Sequence, residues 1–204
     1  MNTIFRQNQL YTFLLYCNDT YLNKEVLDCG AGGNIPPLAI FSEQGYKTYG
    51  IDISSDQISR AKKFEEKNNL NLAIKQGDMR SLPFKDGSIS FIYSYNSIFH
   101  MRKEEIRKVI KEIHRVLPLG GLAFINFAST NDWRSTIGEC VGQGEYLQEE
   151  NGQKILHSYF AENEAEKYFE GFKIIYKENR IREGYANAET KITLGFIDYI
   201  VEKI

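Results

Sequence analysis

The sequence predicts an α/β fold: a doubly wound, seven-stranded, mostly parallel sheet with an antiparallel C-terminal strand. Three observations predict it. Short apolar runs at 26–29, 48–52, 70–75, 89–94 and 122–127 alternate with helix-forming segments, the rhythm of strand–helix–strand units. The segment 104–117 sets Ile106, Val109, Ile110, Ile113, Val116 and Leu117 at steps of three, four and one, a single helix face. Two further strand patterns, 172–181 and 190–201, are separated by too few residues for a crossover helix, so they pair antiparallel.

The elements follow in order. Residues 8–17 form a helix with Leu10, Phe13, Leu14 and Cys17 near one face. Strand 26–29 comes next. Pro36 and Pro37 open a helix to Gln44, because proline costs little in a first turn where its missing N–H had no partner. Gly45 stops that helix. After strand 48–52, Ser54 caps a helix to Asn68, with Gln57 three residues on as a capping box. Asp86-Gly87 turns the chain into strand 89–94. Pro118 and Gly120-Gly121 end the helix 104–117 before strand 122–127. Residues 129–157 are rich in turn formers and read as an insert over the carboxyl edge of the sheet. A helix at 162–169 follows. Residues 1–204 therefore read as one domain, with 1–22 as an N-terminal helical cap.

Composition excludes several classes of function. With 204 residues, 42% of them hydrophobic, the chain can bury a sizeable core. A net charge of −2 gives no phosphate-binding face, so no nucleic-acid partner is expected. Cys17, Cys29 and Cys140 lie far apart, which fits neither a disulfide framework nor a zinc site, and no metal is expected. The run 13–17 is too short to span a bilayer, and the N-terminus lacks a cleavable signal pattern. The expectation is a cytoplasmic protein.

The chemistry concentrates at strand ends. The first strand ends in Asp28 and runs into Gly30, Ala31, Gly32, Gly33 and Asn34. Glycines let backbone turn sharply and approach a ligand. The second strand ends in Asp52, followed by Ile53, and a carboxylate there can accept both hydroxyls of a ribose. The third leads to Asp78, an acceptor for an exocyclic amine, and to Met79, which can lie on an adenine face. A dinucleotide fingerprint needs glycine five residues after Gly30, where this chain has Ile35, and no GK[ST] follows to make a phosphate loop.

In this order, the acid–glycine turn–acid–acid pattern resembles the class I S-adenosylmethionine-dependent methyltransferases, close to the small-molecule branch known as methyltransferase domain 11. The likeness covers about residues 20–127 and includes His114 to Gly121, similar to the family's helix ending in Leu-x-Pro-Gly-Gly, here with Leu119 inserted. Asn34 stands where the family has its last motif glycine, and Ser90 where it commonly has an acid. The resemblance implies a Rossmann-like methyltransferase fold with S-adenosylmethionine as cofactor. It implies that Asp28, Gly30, Ala31, Gly32 and Asn34 carry the methionine part and that Asp52 and Ile53 hold the ribose. Asp78 and Met79 would frame adenine, and Tyr95 would line the open side. The implied reaction is in-line transfer of a methyl group to a small-molecule acceptor.

Catalytic candidates are few. Tyr95 and then His100 follow the fourth strand. His157, in His157-Ser158-Tyr159-Phe160, resembles the His-x-Tyr-Phe element of thiol, halide and tellurite methyltransferases, where it packs the cap near the acceptor. Arg134 has the planar fork to hold an acceptor carboxylate. Trp133 reads as a core residue of the insert. Cys29 and His114 read as packing residues. A nicotinamide-dependent oxidoreductase, which Ile35 disfavours, and a non-catalytic adenosyl-binding protein are the competing readings.

Overall fold

A computed structural model describes residues 7–150, 152–185, 187 and 189–204. The start of the predicted N-terminal cap, 1–6, lies outside the described residues. Parallel strands β1 (Glu25–Cys29), β2 (Lys47–Asp52), β3 (Ile74–Gln76), β4 (Phe91–Ser94) and β5 (Leu122–Ser129) form the centre of the sheet in the order β3-β2-β1-β4-β5. Beyond β5 come β10 (Lys191–Lys203) and then β9 (Phe172–Tyr185), joined as an antiparallel hairpin. Because β10 runs against both β5 and β9, it is the one antiparallel strand of these seven.

Side-chain alternation builds a core on each face. Val26, Phe91, Tyr93, Leu122, Phe124 and Ile200 point to one side. Helices α1 (Asn8–Asn18), α2 (Leu38–Glu43) and α3 (Ser55–Asn68) cover them with Leu10, Phe13, Leu38, Phe41, Ile58 and Phe64. Leu27, Ile92, Ala123, Ile125, Tyr199 and Val201 point to the other side, under helix α4 (Lys103–Val116). The α4 face is buried at Ile106, Val109, Ile110, Ile113 and Val116, each worth about 1.5–3 kcal/mol on burial. Ser54 caps α3 by accepting from the Gln57 N–H, the N-terminal bond that its sequence predicts.

Four local expectations need correction. The third strand starts at Ile74, later than expected: the Asn71 side chain accepts the Ala73 N–H and Ala73 takes φ +55°, which breaks the extended run. Residues expected as a helix at 162–169 form only a 3₁₀ turn, Glu164–Tyr168. The segment after β5 is a three-stranded antiparallel meander of β6 (Glu139–Gly142), β7 (Glu145–Glu150) and β8 (Gln153–Phe160). Its turn glycines, Gly144 and Gly152, have φ of +71° and +77°, so the turn signals were real but joined strands. Trp133 is 41% exposed and does not form a core for this segment.

The meander is fixed to the main sheet at β8. Tyr159 and Phe160 pair in parallel with Ala128 and Ser129, on the edge of β5 that β4 occupies lower down. Among the described residues, no helix is long and apolar enough to cross a membrane.

Candidate active site

The strand ends converge on one cleft of about 280 Å³, near the lower end of small-molecule sites at roughly 300–1,000 Å³. Gly30 comes from the end of β1, Ile51 to Ile53 from β2, Gly77 to Arg80 from the chain after β3, and Ser97, His100 and Met101 from the chain after β4. Glu105 reaches in from α4.

The glycine turn makes this closeness possible. Gly30 has φ +102°, and a Cβ there would stand 2.1 Å from Ser97 Oγ. Only bare backbone fits between the two walls. Gly33 takes φ +108° and supplies the left-handed bend, while Asn34, at the place of the family's last motif glycine, does not. Asn34 lies instead in a separate surface depression with Ile35, Arg60 and Lys63. Ala31 is buried, its N–H held by the Ile51 carbonyl at 2.9 Å.

Asp52 locks the turn to the second strand. Its Oδ2 accepts the Gly32 N–H and its Oδ1 accepts the Ser54 N–H, both at 2.9 Å. A carboxylate has about four acceptor positions, so each oxygen keeps one for a further donor. Ile53 and Met79 supply apolar surface on the same wall.

Asp78 is not a free acceptor. Arg80 donates its backbone N–H to Oδ1 at 2.8 Å, and its Nε and Nη2 grip the carboxylate at 3.0 and 2.7 Å. The guanidinium holds this carboxyl below its usual range. Arg80 also binds Glu105. Neither Arg80 nor Glu105 was found from the sequence, although the signal was present: a cation two residues after the acid is positioned to fold back on it.

Other expected site residues lie further off. Asp28 is buried against the face that carries Tyr93, its neighbour on β4, and burial raises its carboxyl to about 8. Tyr95 does not line the cleft; its hydroxyl faces Gln9 Oε1 of α1 at 3.4 Å and its ring packs against Phe124. His100 does line it. Its ring meets that of His157 edge-on, with centroids 4.6 Å apart. His157 itself is 1% exposed, with Nε2 3.2 Å from Glu150 Oε1. Burial, then the neighbouring His100, lower His157 to about 4, so its ring is neutral at pH 7. Arg134 is committed to Glu150 at 3.1 Å and approaches Asp132 at 3.5 Å, which leaves it poorly placed to hold an acceptor. Cys17 and Cys29 are buried, and burial raises both thiols far above reactive values. Tyr16 packs on Tyr176 and Tyr11 is exposed.

Comparison with known proteins agrees with this geometry. Residues 27–125 match the family described as Methyltransferase domain. Over 101 residues the chain is 37% identical to a sterol 24-C-methyltransferase of Pneumocystis carinii, covering 48% of this chain and 26% of that protein. Over 127 residues it is 28% identical to a phosphoethanolamine N-methyltransferase of Plasmodium falciparum, covering 61% and 47%. The matches therefore span about a quarter to a half of these curated relatives. A solved S-adenosylmethionine-dependent methyltransferase from Methanosarcina mazei superposes with a TM-score of 0.74 at 25% identity, covering 93% of this chain and 97% of that one. The core of this chain is a class I S-adenosylmethionine-dependent methyltransferase domain.

Proposed function

We propose that this chain transfers a methyl group from S-adenosylmethionine to a small-molecule acceptor by direct in-line displacement. One observation carries the reading: Asp52 and Asp78 face the same cleft as the glycine turn, with Ile53 and Met79 alongside. That set suits an adenosyl group. Asp52 has acceptor positions for the ribose hydroxyls, and Ile53 and Met79 flank a flat base. The narrow gap between Gly30 and Ser97 admits nothing bulkier than backbone on the chain's side.

When bound, S-adenosylmethionine supplies a methyl already activated on a sulfonium, so the protein's work is orientation and exclusion of water. The turn after β4 is rigid enough to orient. Asn96 takes φ +54°, its N–H donates to Asn126 Oδ1 at 2.7 Å, and Asn126 Nδ2 donates back to Asn96 Oδ1 at 2.8 Å. We assign His100, on the cleft wall, as the group that holds or takes a proton from a neutral acceptor. His157 stands behind it as a positioning residue, neutral and packed against Tyr159. Tyr95, outside the cleft, braces the turn after β4 against α1. Three unpaired cysteines support a reducing, cytoplasmic setting.

Calorimetry with S-adenosylhomocysteine, followed by radiolabelled methyl transfer to a panel of small thiols, phenols and amines, tests the reading. Binding with a labelled product is the expected result. No heat with S-adenosylhomocysteine would defeat it.

A further inference from the structure

Arg180 on β9 is 9% exposed, and its partner Asp198 on β10 is fully buried. Nε donates to Asp198 Oδ2 at 2.9 Å and Nη2 to Oδ1 at 3.2 Å. The guanidinium also lies over the Phe196 ring, 4.6 Å from its centroid. Burying two charges is expensive, and apolar replacements of such pairs are often as stable. A purely structural arginine would also have its remaining N–H groups satisfied. Here Nη1 has no protein acceptor among the described residues, so one edge of the fork is open.

That edge points to a role because of its place in the sheet. Asp198 lies opposite Asn126 of β5, and Phe196 opposite Ala128, one step nearer the carboxyl end. Arg180 is opposite Phe196, and Arg182 is opposite Leu194, further out still. The acids Asp198 and Glu178 therefore sit deeper, and the two arginines sit toward the edge where the cleft opens. Arg182 is exposed and has no ion-pair partner among the described residues. Burial raises the Tyr95 phenol, Arg180 and Arg182 oppose that rise, and Asp198 adds to it, so all three charges reach the turn after β4.

The same turn belongs to the adenosyl cleft. Asn96 is bonded to Asn126, the neighbour of Asp198, and the next residue, Ser97, is in the cleft wall. An aromatic path runs alongside: Phe196 packs on Phe99 at 6.2 Å, and Phe99 on His100 at 4.7 Å. We propose that Arg180, with Arg182, binds an oxyanion on the methyl acceptor, a carboxylate or a phosphate, while its apolar part lies along Phe196. This deepens the methyl-transfer reading and rests on it. Asp198 and Phe196 fix the fork, and the open Nη1 edge receives the anion. The role of carboxylate holder thus passes from Arg134, which lies between two acids, Glu150 and Asp132, to Arg180, which pairs with one.

Calorimetry tests this on the chain saturated with S-adenosylhomocysteine, using benzoate, phenyl phosphate, benzamide and benzylamine as probes. Benzoate or phenyl phosphate should bind, and the stronger of the two identifies the oxyanion. Benzamide and benzylamine should bind about tenfold more weakly or not at all. Arg182→Gln, at an exposed position, and Arg180→Lys, which keeps the charge against Asp198, should each weaken oxyanion binding about tenfold, with S-adenosylhomocysteine affinity unchanged. The proposal is overturned if neither oxyanion binds, if the amide or amine binds as well, or if both variants bind like the parent. Failure to bind S-adenosylhomocysteine while benzoate still binds would instead defeat the methyl-donor reading.

Discussion

Replacing Asp52 by asparagine separates cofactor recognition from folding. In the structure each carboxylate oxygen accepts one backbone N–H, from Gly32 and from Ser54, at 2.9 Å. Asparagine keeps one oxygen and turns an NH₂ toward the other N–H, so one loop bond is lost and two donors face each other. A hydrogen bond to a charged group contributes about 1.5–3 kcal/mol. Because Asp52 is half-exposed, water softens the loss in the free protein, and the expected stability cost is about 1 kcal/mol. Binding should suffer more, because the ribose hydroxyl proposed to bind Asp52 would lose a charged acceptor. The expected loss of S-adenosylhomocysteine affinity is about 10- to 100-fold, or roughly 1.4–2.7 kcal/mol. Titration calorimetry gives the affinity and urea melts give the stability. A folded Asp52→Asn variant that binds as tightly as the parent would refute the assignment of this carboxylate to the ribose.

Three further outcomes follow from the same structure. Gly30→Ala forces φ +102° on an alanine and drives its Cβ to 2.1 Å from Ser97 Oγ, so S-adenosylhomocysteine binding should fall at least tenfold; Ser97→Gly in the same chain should restore only part of it, because the backbone strain stays, and full rescue would contradict this. His157 is lowered to about 4 from an ordinary value near 6.5, so its stabilising effect is complete above pH 6.5 and disappears as pH falls through 4; urea melts should lose about 3 kcal/mol over that window, and His157→Gln should flatten the profile. Asp28 has the opposite sign: its folded value near 8 lies above the unfolded one, so stability is lost as pH rises from about 4 through 8. Asp28→Asn should remove that slope and leave the variant more stable than the parent at pH 8, read by the same melts. A variant with the parent's slope would show that the carboxyl ionises freely.

The parallel half of the fold was legible because its signals are local. The Ser54 cap, the spacing along α4, and the turns at Gly45 and Gly87 each act within a few residues, and each appears where expected. Asp52 and Asp78 reach the cleft, since a strand end in this topology faces the ligand edge, while Asp28 is buried off it. What stayed hidden depended on distant partners. The strands of the meander have little apolar alternation of their own, because β6 is largely exposed and β7 is only half-buried. Their stability comes from pairing with each other and from Tyr159 and Phe160 meeting β5. Arg80 and Arg134 illustrate the same point for the site. Both are surface-type residues in sequence, and only folding decides that one grips Asp78 while the other is used up by Glu150.

The way β8 joins β5 has a consequence for how the pocket can change over time. The wall above the ligand edge continues the sheet and shares hydrogen bonds with the strand that bears Asn126, so it does not swing as a separate flap. Its far end, at Gly152, lies away from that junction, whereas Gly144 sits on it, its carbonyl accepting the Tyr159 N–H at 2.7 Å. On the methyl-transfer reading, substitutions at that far end can alter which acceptor is taken while the cleft keeps its geometry, so acceptor preference can drift without a new fold.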